Sequence, residues 1–494
     1  MAAVTPSNLL PEVVEFLSKP LGGVIAGRLV PSSGGGTFTT HDPGSGEVLA
    51  EVASMQAEDV DRAVAAATEA FPAWSRLTPS ERGTLLHRFA ATVERHKKIV
   101  AQIEALDAGK ILWQAEGDVQ NFVDTIRYYV EMALHVQPRT PLAVARNEAW
   151  IVRHPWGPCG FIVPWNFPVL LAGWGLAPAL AAGNTVVIKP AEDTPLSTIY
   201  LGLVAKEAGM PDGTINVVPG LGETAGAAVA RHPGFKRMSF TGSPEVGRLV
   251  AEACGRNLVP VKLELGGKGA AVVFGDVDVA ATADRLVQAI TFHAGQVCCD
   301  ATRWLIDRSI YPRFVDACVE RLQKTAIGYQ LDRRAQMGPV VSEKQRQRVL
   351  GYLRRGKEEG AEVLLEGGPA DVPGRAGHYV KPALLAGSIE NVAAREEIFG
   401  PVAYLASFSS EDEAIEMANQ TDYGLANSVW TTDLGRAQRV AEAMAAGNSW
   451  INAHNLFPHG VPYGGVNKSG LGGGVLSMET LFDYWRSQSV VRPL

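Results

Sequence analysis

The sequence has no excess of positive charge, no CxxC pair and no apolar run long enough to cross a bilayer. Its 45 Lys and Arg residues face 52 Asp and Glu, for a formal charge of -7. That balance gives no electrostatic basis for a nucleic acid or anionic membrane partner. The most apolar long stretch, residues 168–183, is interrupted by Gly173, Gly175 and Pro178. It falls short of the ~20 apolar residues that a spanning helix needs. The opening Met1-Ala2-Ala3-Val4-Thr5-Pro6 lacks a basic segment followed by an apolar one, so no signal peptide is expected. The five cysteines, at positions 159, 254, 298, 299 and 318, are odd in number, which suits free thiols in a reducing cytoplasm. Adjacent Cys298 and Cys299 make poor metal ligands and a strained disulfide, so no metal is expected. No tandem repeat is visible, which argues against a solenoid.

What is present is a globular composition, 46% hydrophobic and 20% charged, on 494 residues. One hydrophobic core does not normally cover such a length, so two or three domains are expected. The N-terminal stretch reads as irregular, with Ser32-Ser33-Gly34-Gly35-Gly36 as a turn. From Ala57 the apolar residues recur at helical spacing. Thr78-Pro79-Ser80-Glu81 then opens a second helix with an N-cap and a proline at the first helical position. A third helix is expected over residues 114–135, and residues 142–154 alternate as a half-exposed strand or hairpin would. Beyond Gly160 short β-rich runs at 160–164, 185–189, 214–218, 236–240 and 259–264 are separated by helical segments. This rhythm predicts a doubly wound parallel sheet, which binds ligands beyond the carboxyl ends of its strands. A second α/β series begins at Gly269, with strands over 270–274 and 301–306 and helices over 279–293, 311–327 and 342–359. The tail, 481–494, is partly apolar and is expected to pack on the body.

The most suggestive chemistry is a thiol in the Gly-led turn Gly295-Gln296-Val297-Cys298-Cys299. Upstream of it stands a carboxylate heading Glu264-Leu265-Gly266-Gly267-Lys268. Cys298 can attack a carbonyl and Glu264 can activate the water that later removes the acyl group. Taken singly, a buried cysteine is more often inert and a glutamate at a strand end more often solvated. Gly220-Leu221-Gly222-Glu223-Thr224-Ala225 matches a dinucleotide fingerprint, but no acid ends the next strand, so the turn reads as close packing. Lys189 and Glu192 at another strand end can grip ribose hydroxyls, and Thr241-Gly242-Ser243 can present donors to pyrophosphate at a helix start. An N-cap serine and a surface ion pair are the plainer readings of these two pieces. Asn166, in Pro164-Trp165-Asn166-Phe167-Pro168, offers a rigid amide to an oxyanion, or else satisfies a local turn.

Together these pieces resemble the aldehyde dehydrogenase superfamily, from about Phe38 to Val490. The matching segments include Lys189-Pro190-Ala191-Glu192, Phe240-Thr241-Gly242-Ser243, Glu397-Ile398-Phe399-Gly400-Pro401 and Pro462-Tyr463-Gly464-Gly465, besides those already quoted. The resemblance implies an α/β fold class: a doubly wound parallel-sheet cofactor domain (1–136 and 155–262), an α/β catalytic domain (263–465) and a small β oligomerisation element (137–154 and 481–494). It implies an NAD-dependent enzyme of the hydrolytic type that forms a homodimer or homotetramer. Cys298 would be the nucleophile, Asn166 and the Cys298 N–H the oxyanion hole, and Glu264 the base that releases the acid. Lys189 and Glu192 would hold the adenosine ribose, Gly242 and Ser243 the pyrophosphate, and Trp165, Glu397 and Phe399 the nicotinamide side. Positions matching the substrate tunnel are Phe167, Leu171, Trp174, Phe292, Phe457 and Tyr463, with Asn452 and His454 the polar candidates nearby. A lining of this kind implies uncharged aliphatic or aromatic aldehydes. The chain departs from the family at Gly473-Gly474, where many members carry Arg-Glu, and at Asp300, where a small residue is frequent.

Overall fold

The structure, a computed structural model, describes residues 9–494. The opening segment read for a leader lies outside the described residues. Five parallel strands run in the order Ile215–Val217, Thr185–Lys189, Pro158–Ile162, Arg237–Thr241 and Val261–Glu264. Gly23–Ile25 and Arg28–Val30 extend one edge antiparallel, and Gly470–Leu471 the other. The chain order reverses between Pro158–Ile162 and Arg237–Thr241, so a crevice opens there at the carboxyl ends, where such sheets take ligands. A second sheet runs Glu362–Leu365, Ala383–Ala386, Val402–Phe408, Ala301–Asp307, Gly269–Val273, Ala426–Trp430 and Asn448–Ile451, parallel except at its first pair. A third joins Arg139–Val144, Asn147–Pro155 and Trp485–Pro493 antiparallel. The α/β expectation holds, and the alternation at 142–154 is a hairpin strand paired to the C-terminal tail.

Local chemistry accounts for the helix starts. At Pro79–Arg95 the Glu81 N–H donates to the Thr78 hydroxyl at 3.3 Å, and the Glu81 carboxylate accepts from the Thr78 N–H at 2.7 Å. This reciprocal cap is what the sequence signals. Several helices escape the sequence reading, among them two in the N-terminal part and Glu411–Asn419 and Leu434–Ala443 near the C-terminus. Pro11–Leu17 is only two turns, and Lys97–Ala108 has no side-chain cap because His96 alone separates it from the preceding helix. Its end is clear in the structure: Gly109 closes it in the left-handed conformation, φ 72°. Helix Pro168–Ala181 is apolar on nearly every side because it is buried all round. No helix among the described residues is long and apolar enough to cross a membrane.

Candidate active site

Cys298 lies on a loop between helix Val279–Thr291 and strand Ala301–Asp307. His293, Ala294 and Gly295 turn the chain through three successive left-handed residues, φ 47°, 53° and 71°. Only glycine fits the third place, where a Cβ would lie 2.3 Å from the Gly400 carbonyl carbon. The first two cost roughly 1–2 kcal/mol each in backbone strain, so the surroundings must hold them. Gln296 does this from inside: its Nε2 donates to the His293 carbonyl at 3.0 Å, and its Oε1 accepts from the Val341 N–H at 2.9 Å. Asn166 adds a third tie, its Nδ2 donating to the Gln296 carbonyl at 2.9 Å.

The Cys298 sulfur is half-buried and lies 3.6 Å from the Tyr463 hydroxyl. The neighbouring Cys299 thiol and then the Tyr463 hydroxyl favour the Cys298 thiolate, and its pKa falls below the ordinary thiol value despite burial. Cys299 goes the other way: it is buried, its sulfur lies 3.3 Å from Asn455 Oδ1, and desolvation raises its pKa. Burial also keeps Tyr463 protonated, hence a donor. Glu264 ends strand Val261–Glu264 at 7% exposure, and neither carboxylate oxygen has a hydrogen-bond partner. Desolvation raises its pKa well above the carboxylate range, with Lys262 acting against that rise.

Across the loop from the thiol, Gly266 and Gly267 let other groups approach. A Cβ on Gly266 would meet Glu397 Oε2 at 2.3 Å, and one on Gly267 the Cys298 carbonyl oxygen at 2.5 Å. Glu397 accepts from the Gly267 N–H at 2.9 Å, and desolvation raises its pKa to about 7. Phe399, at φ 63°, stands perpendicular to the Trp165 ring with 5.2 Å between centroids. At the strand ends, Lys189 Nζ pairs with Glu192 Oε2 at 2.8 Å, and the Gly222 N–H donates to Glu192 Oε1 at 3.2 Å. The Gly220–Ala225 turn, rejected as a phosphate loop, thus supports a carboxylate instead. Ser243 caps helix Pro244–Arg256, accepting from the Val246 N–H at 3.3 Å, which leaves its own O–H free to donate. The Gly242 N–H is taken up by the Glu264 carbonyl at 3.1 Å, so it is not a free donor.

A cavity of about 270 Å³ has Cys298 and Glu264 in its wall. Phe167, Leu171, Trp174, Phe292, Phe457 and Tyr463 all line it as well, and Asn166, next to Phe167, holds the Gln296 carbonyl two residues before Cys298.

The aldehyde dehydrogenase family profile matches residues 29–490. The chain belongs to the aldehyde dehydrogenase family. It is 42% identical to human retinal dehydrogenase 2 over 448 residues, covering 89% of this chain and 86% of that one. With aldehyde dehydrogenase 1A1 of Gallus gallus it shares 40% over 483 residues, 95% and 94% of the two chains. The solved NAD+ complex of an aldehyde dehydrogenase from Bacillus cereus superposes with a TM-score of 0.96 at 37% identity, covering 99% of this chain and 100% of that one. Its activity is therefore the oxidation of an aldehyde to a carboxylic acid.

In this aldehyde dehydrogenase the polar candidates Asn452 and His454 do not face the cavity. Asn452 ties to Thr431, its Oδ1 accepting from that N–H and its Nδ2 donating to that carbonyl, each at 2.9 Å. His454 Nε2 lies 2.9 Å from both the Ala301 nitrogen and the Cys299 carbonyl oxygen, and desolvation lowers its pKa to about 4. It is a neutral structural ring and cannot serve as a cation for an acidic substrate. The polar groups in the wall include Gln114, Asp118, Asn121, Ser239 and Asn455, which the sequence reading missed. The first three stand at 114, 118 and 121 on helix Leu112–His135, a polar stripe at helical spacing that was available as a signal. Asn455 Nδ2 donates to Asp300 Oδ1 at 3.0 Å, so the unusual Asp300 braces the rim beside Cys299.

Proposed function

We propose that this aldehyde dehydrogenase oxidises uncharged aliphatic or aromatic aldehydes with NAD, using Cys298 as nucleophile and Glu264 as base. The observation that carries the reading is one apolar-walled cavity lined by both Cys298 and Glu264. The residues fit the cofactor. A half-exposed carboxylate and a buried ammonium sit at one strand end, an uncommitted Ser243 hydroxyl at a helix start, and Glu397 over a Gly-Gly turn. Lys189 and Glu192 would hold the adenosine ribose, Ser243 the pyrophosphate, and Glu397, Phe399 and Trp165 the nicotinamide side. When bound, NAD accepts the hydride from the substrate carbon.

The chain's own residues carry the other steps. The Cys298 thiolate adds to the aldehyde carbon, and the carbonyl oxygen becomes an alkoxide. An amide nitrogen carries two N–H bonds. Asn166 uses one on the Gln296 carbonyl and offers the other, with the Cys298 N–H, to that oxyanion. After oxidation the acyl group remains on Cys298 as a thioester. Glu264 takes a proton from water, the hydroxide oxygen adds to the acyl carbon, and the carboxylic acid leaves as the thiolate returns. In this reading residues 1–136 and 155–262 form the cofactor domain and 263–465 the catalytic domain. The sheet from 137–154 and 481–494 joins copies into a homodimer or homotetramer, in keeping with exposed Leu142, Val144 and Val491. Five unpaired thiols suit the cytoplasm.

Cofactor choice follows from Glu192. Its carboxylate can accept from a ribose 2′-hydroxyl and repels the added phosphate of NADP. Glu192 is 40% exposed, so screening holds the discrimination to on the order of 1 kcal/mol. kcat/KM is expected to favour NAD about fivefold or more, and Glu192→Gln to narrow the gap. Equal or better kcat/KM with NADP refutes the assignment.

Substrate charge follows from the wall. Among the described residues no Arg or Lys lines the cavity. Lys110, behind Phe167 at 4.0 Å from its ring centroid, is paired with Asp118 and lies 3.4 Å from Glu104. A second carboxylate on the substrate would be buried unpaired, which is expensive, whereas apolar surface gains roughly 25 cal/mol per Å². The name of the retinal dehydrogenase relatives points to an aldehyde of the apolar class. kcat/KM measured with NAD should be at least about tenfold lower for succinic semialdehyde than for hexanal or benzaldehyde. A preference for the semialdehyde overturns the reading.

A further inference from the structure

A carboxylate buried without hydrogen-bond partners holds its proton, and a protonated Glu264 cannot activate water. Two residues earlier on the same strand, and so on the same face, stands Lys262, 1% exposed. Its ammonium donates to the Gly474 carbonyl and pairs with Asp483 at 2.9 Å, and Arg237 reaches Asp483 at 3.3 Å. The Gly474 backbone lies against Gly464. A Cβ placed on Gly464 would sit 2.7 Å from Gly474 Cα and 3.2 Å from Glu264 Oε1. The carboxylate and the ammonium therefore flank the same pair of glycine backbones. Gly473-Gly474 is also where the chain departs from the Arg-Glu common in the family, and a Cβ on Gly474 would meet the Tyr463 carbonyl oxygen at 2.5 Å.

We propose that Lys262 is a positioning residue for the hydrolytic step: held by Asp483 and the Gly474 carbonyl, its side chain favours the charged form of Glu264 against the proton that burial imposes. The inference rests on the reading of Glu264 as the base. The groups acting on Glu264 are few. Lys262 shares its strand, Cys298 faces it from the catalytic loop, and Tyr463 from the segment opposite, with Asp483 and Arg237 behind Lys262. Among these Lys262 alone favours the charged form of Glu264, and a Cys298 carrying an acyl group has no charge to oppose it.

The test isolates hydrolysis. The full-length enzyme is acylated with 4-nitrophenyl acetate, which transfers its acetyl group to the Cys298 sulfur and releases nitrophenol. Excess reagent is removed, and loss of the acetyl mass is followed between about pH 5.5 and 9.5. For Lys262→Met the acid limb of the decay rate should move up by about one pH unit or more, a roughly tenfold slower decay on that limb. The decay should return to the wild-type rate at high pH, and Lys262→Arg should keep the wild-type profile. Asp483→Asn removes the anion that holds the Lys262 ammonium and keeps it charged, so its limb should also move up, which keeps the test decisive if Lys262→Met fails to fold. A Lys262→Met profile that overlays the wild type, or falls equally at every pH, overturns the proposal. So does an Asp483→Asn limb that stays put or moves down. The premise has its own control: Glu264→Gln must slow decay at every pH, and if it does not, the base has been misassigned whatever Lys262 does.

Discussion

Cys298→Ala is expected to abolish aldehyde oxidation, lowering kcat/KM on the order of 10⁴-fold or more. Cys299→Ala is expected to retain most of the activity. The two thiols are adjacent, but their surroundings separate them. Cys298 has a lowered pKa, lines the cavity and lies 3.6 Å from a hydroxyl that donates to it. Cys299 is 2% exposed, holds Asn455 and resists ionisation. Because Cys299 is the largest contributor to the lowered pKa of its neighbour, its removal should raise the Cys298 pKa. Cys299→Ala should then lose more activity at low pH than at high pH, as the thiolate fraction shrinks. NADH formation across a pH series with both variants checks this. Comparable rates in wild type and Cys298→Ala would sink the assignment of the nucleophile.

The sequence made the reactive residues legible because each stands at a strand end or in a Gly-led turn, where spacing and residue type restrict the backbone. Gly295 is an example: the motif shows a glycine, and the structure shows that nothing larger fits against Gly400. What lay out of reach was long-range. Glu192 meets the Gly222 N–H across 30 residues and Asn166 meets the Gln296 carbonyl across 130, and no local periodicity encodes either. The place of His454 is of the same kind: the sequence offers it as a polar candidate near the tunnel, and only the fold shows its ring turned to the backbone of Ala301 and Cys299. The polar stripe at 114, 118 and 121 was readable in principle, but only knowledge of which helix face meets the cavity gives it meaning. Helix Lys97–Ala108 was lost because its uncapped start follows the previous helix after one residue.

Glu264→Gln should give a fast first turnover and then a much slower steady state, lower on the order of 10²–10³-fold, since general-base assistance contributes about that much. The substitution is unusually clean. Both carboxylate oxygens are buried without partners, so the amide breaks no hydrogen bond of the folded chain. A neutral group of the same shape also removes the desolvation that raises the Glu264 pKa. Lys262 keeps its pairing with Asp483 and the Gly474 carbonyl, so no cation is left stranded. The variant should therefore keep the fold, and its defect should be confined to one step. Thiol addition and hydride loss proceed at Cys298, and one equivalent of NADH per active site appears at close to the wild-type rate. The acyl group then waits on the sulfur for water that no base has deprotonated. Intact-protein mass spectrometry of the stalled enzyme should find the acyl mass, and its absence in Cys298→Ala locates it. Steady turnover at the wild-type rate in Glu264→Gln, with no acyl-enzyme accumulating, would assign water activation to another group.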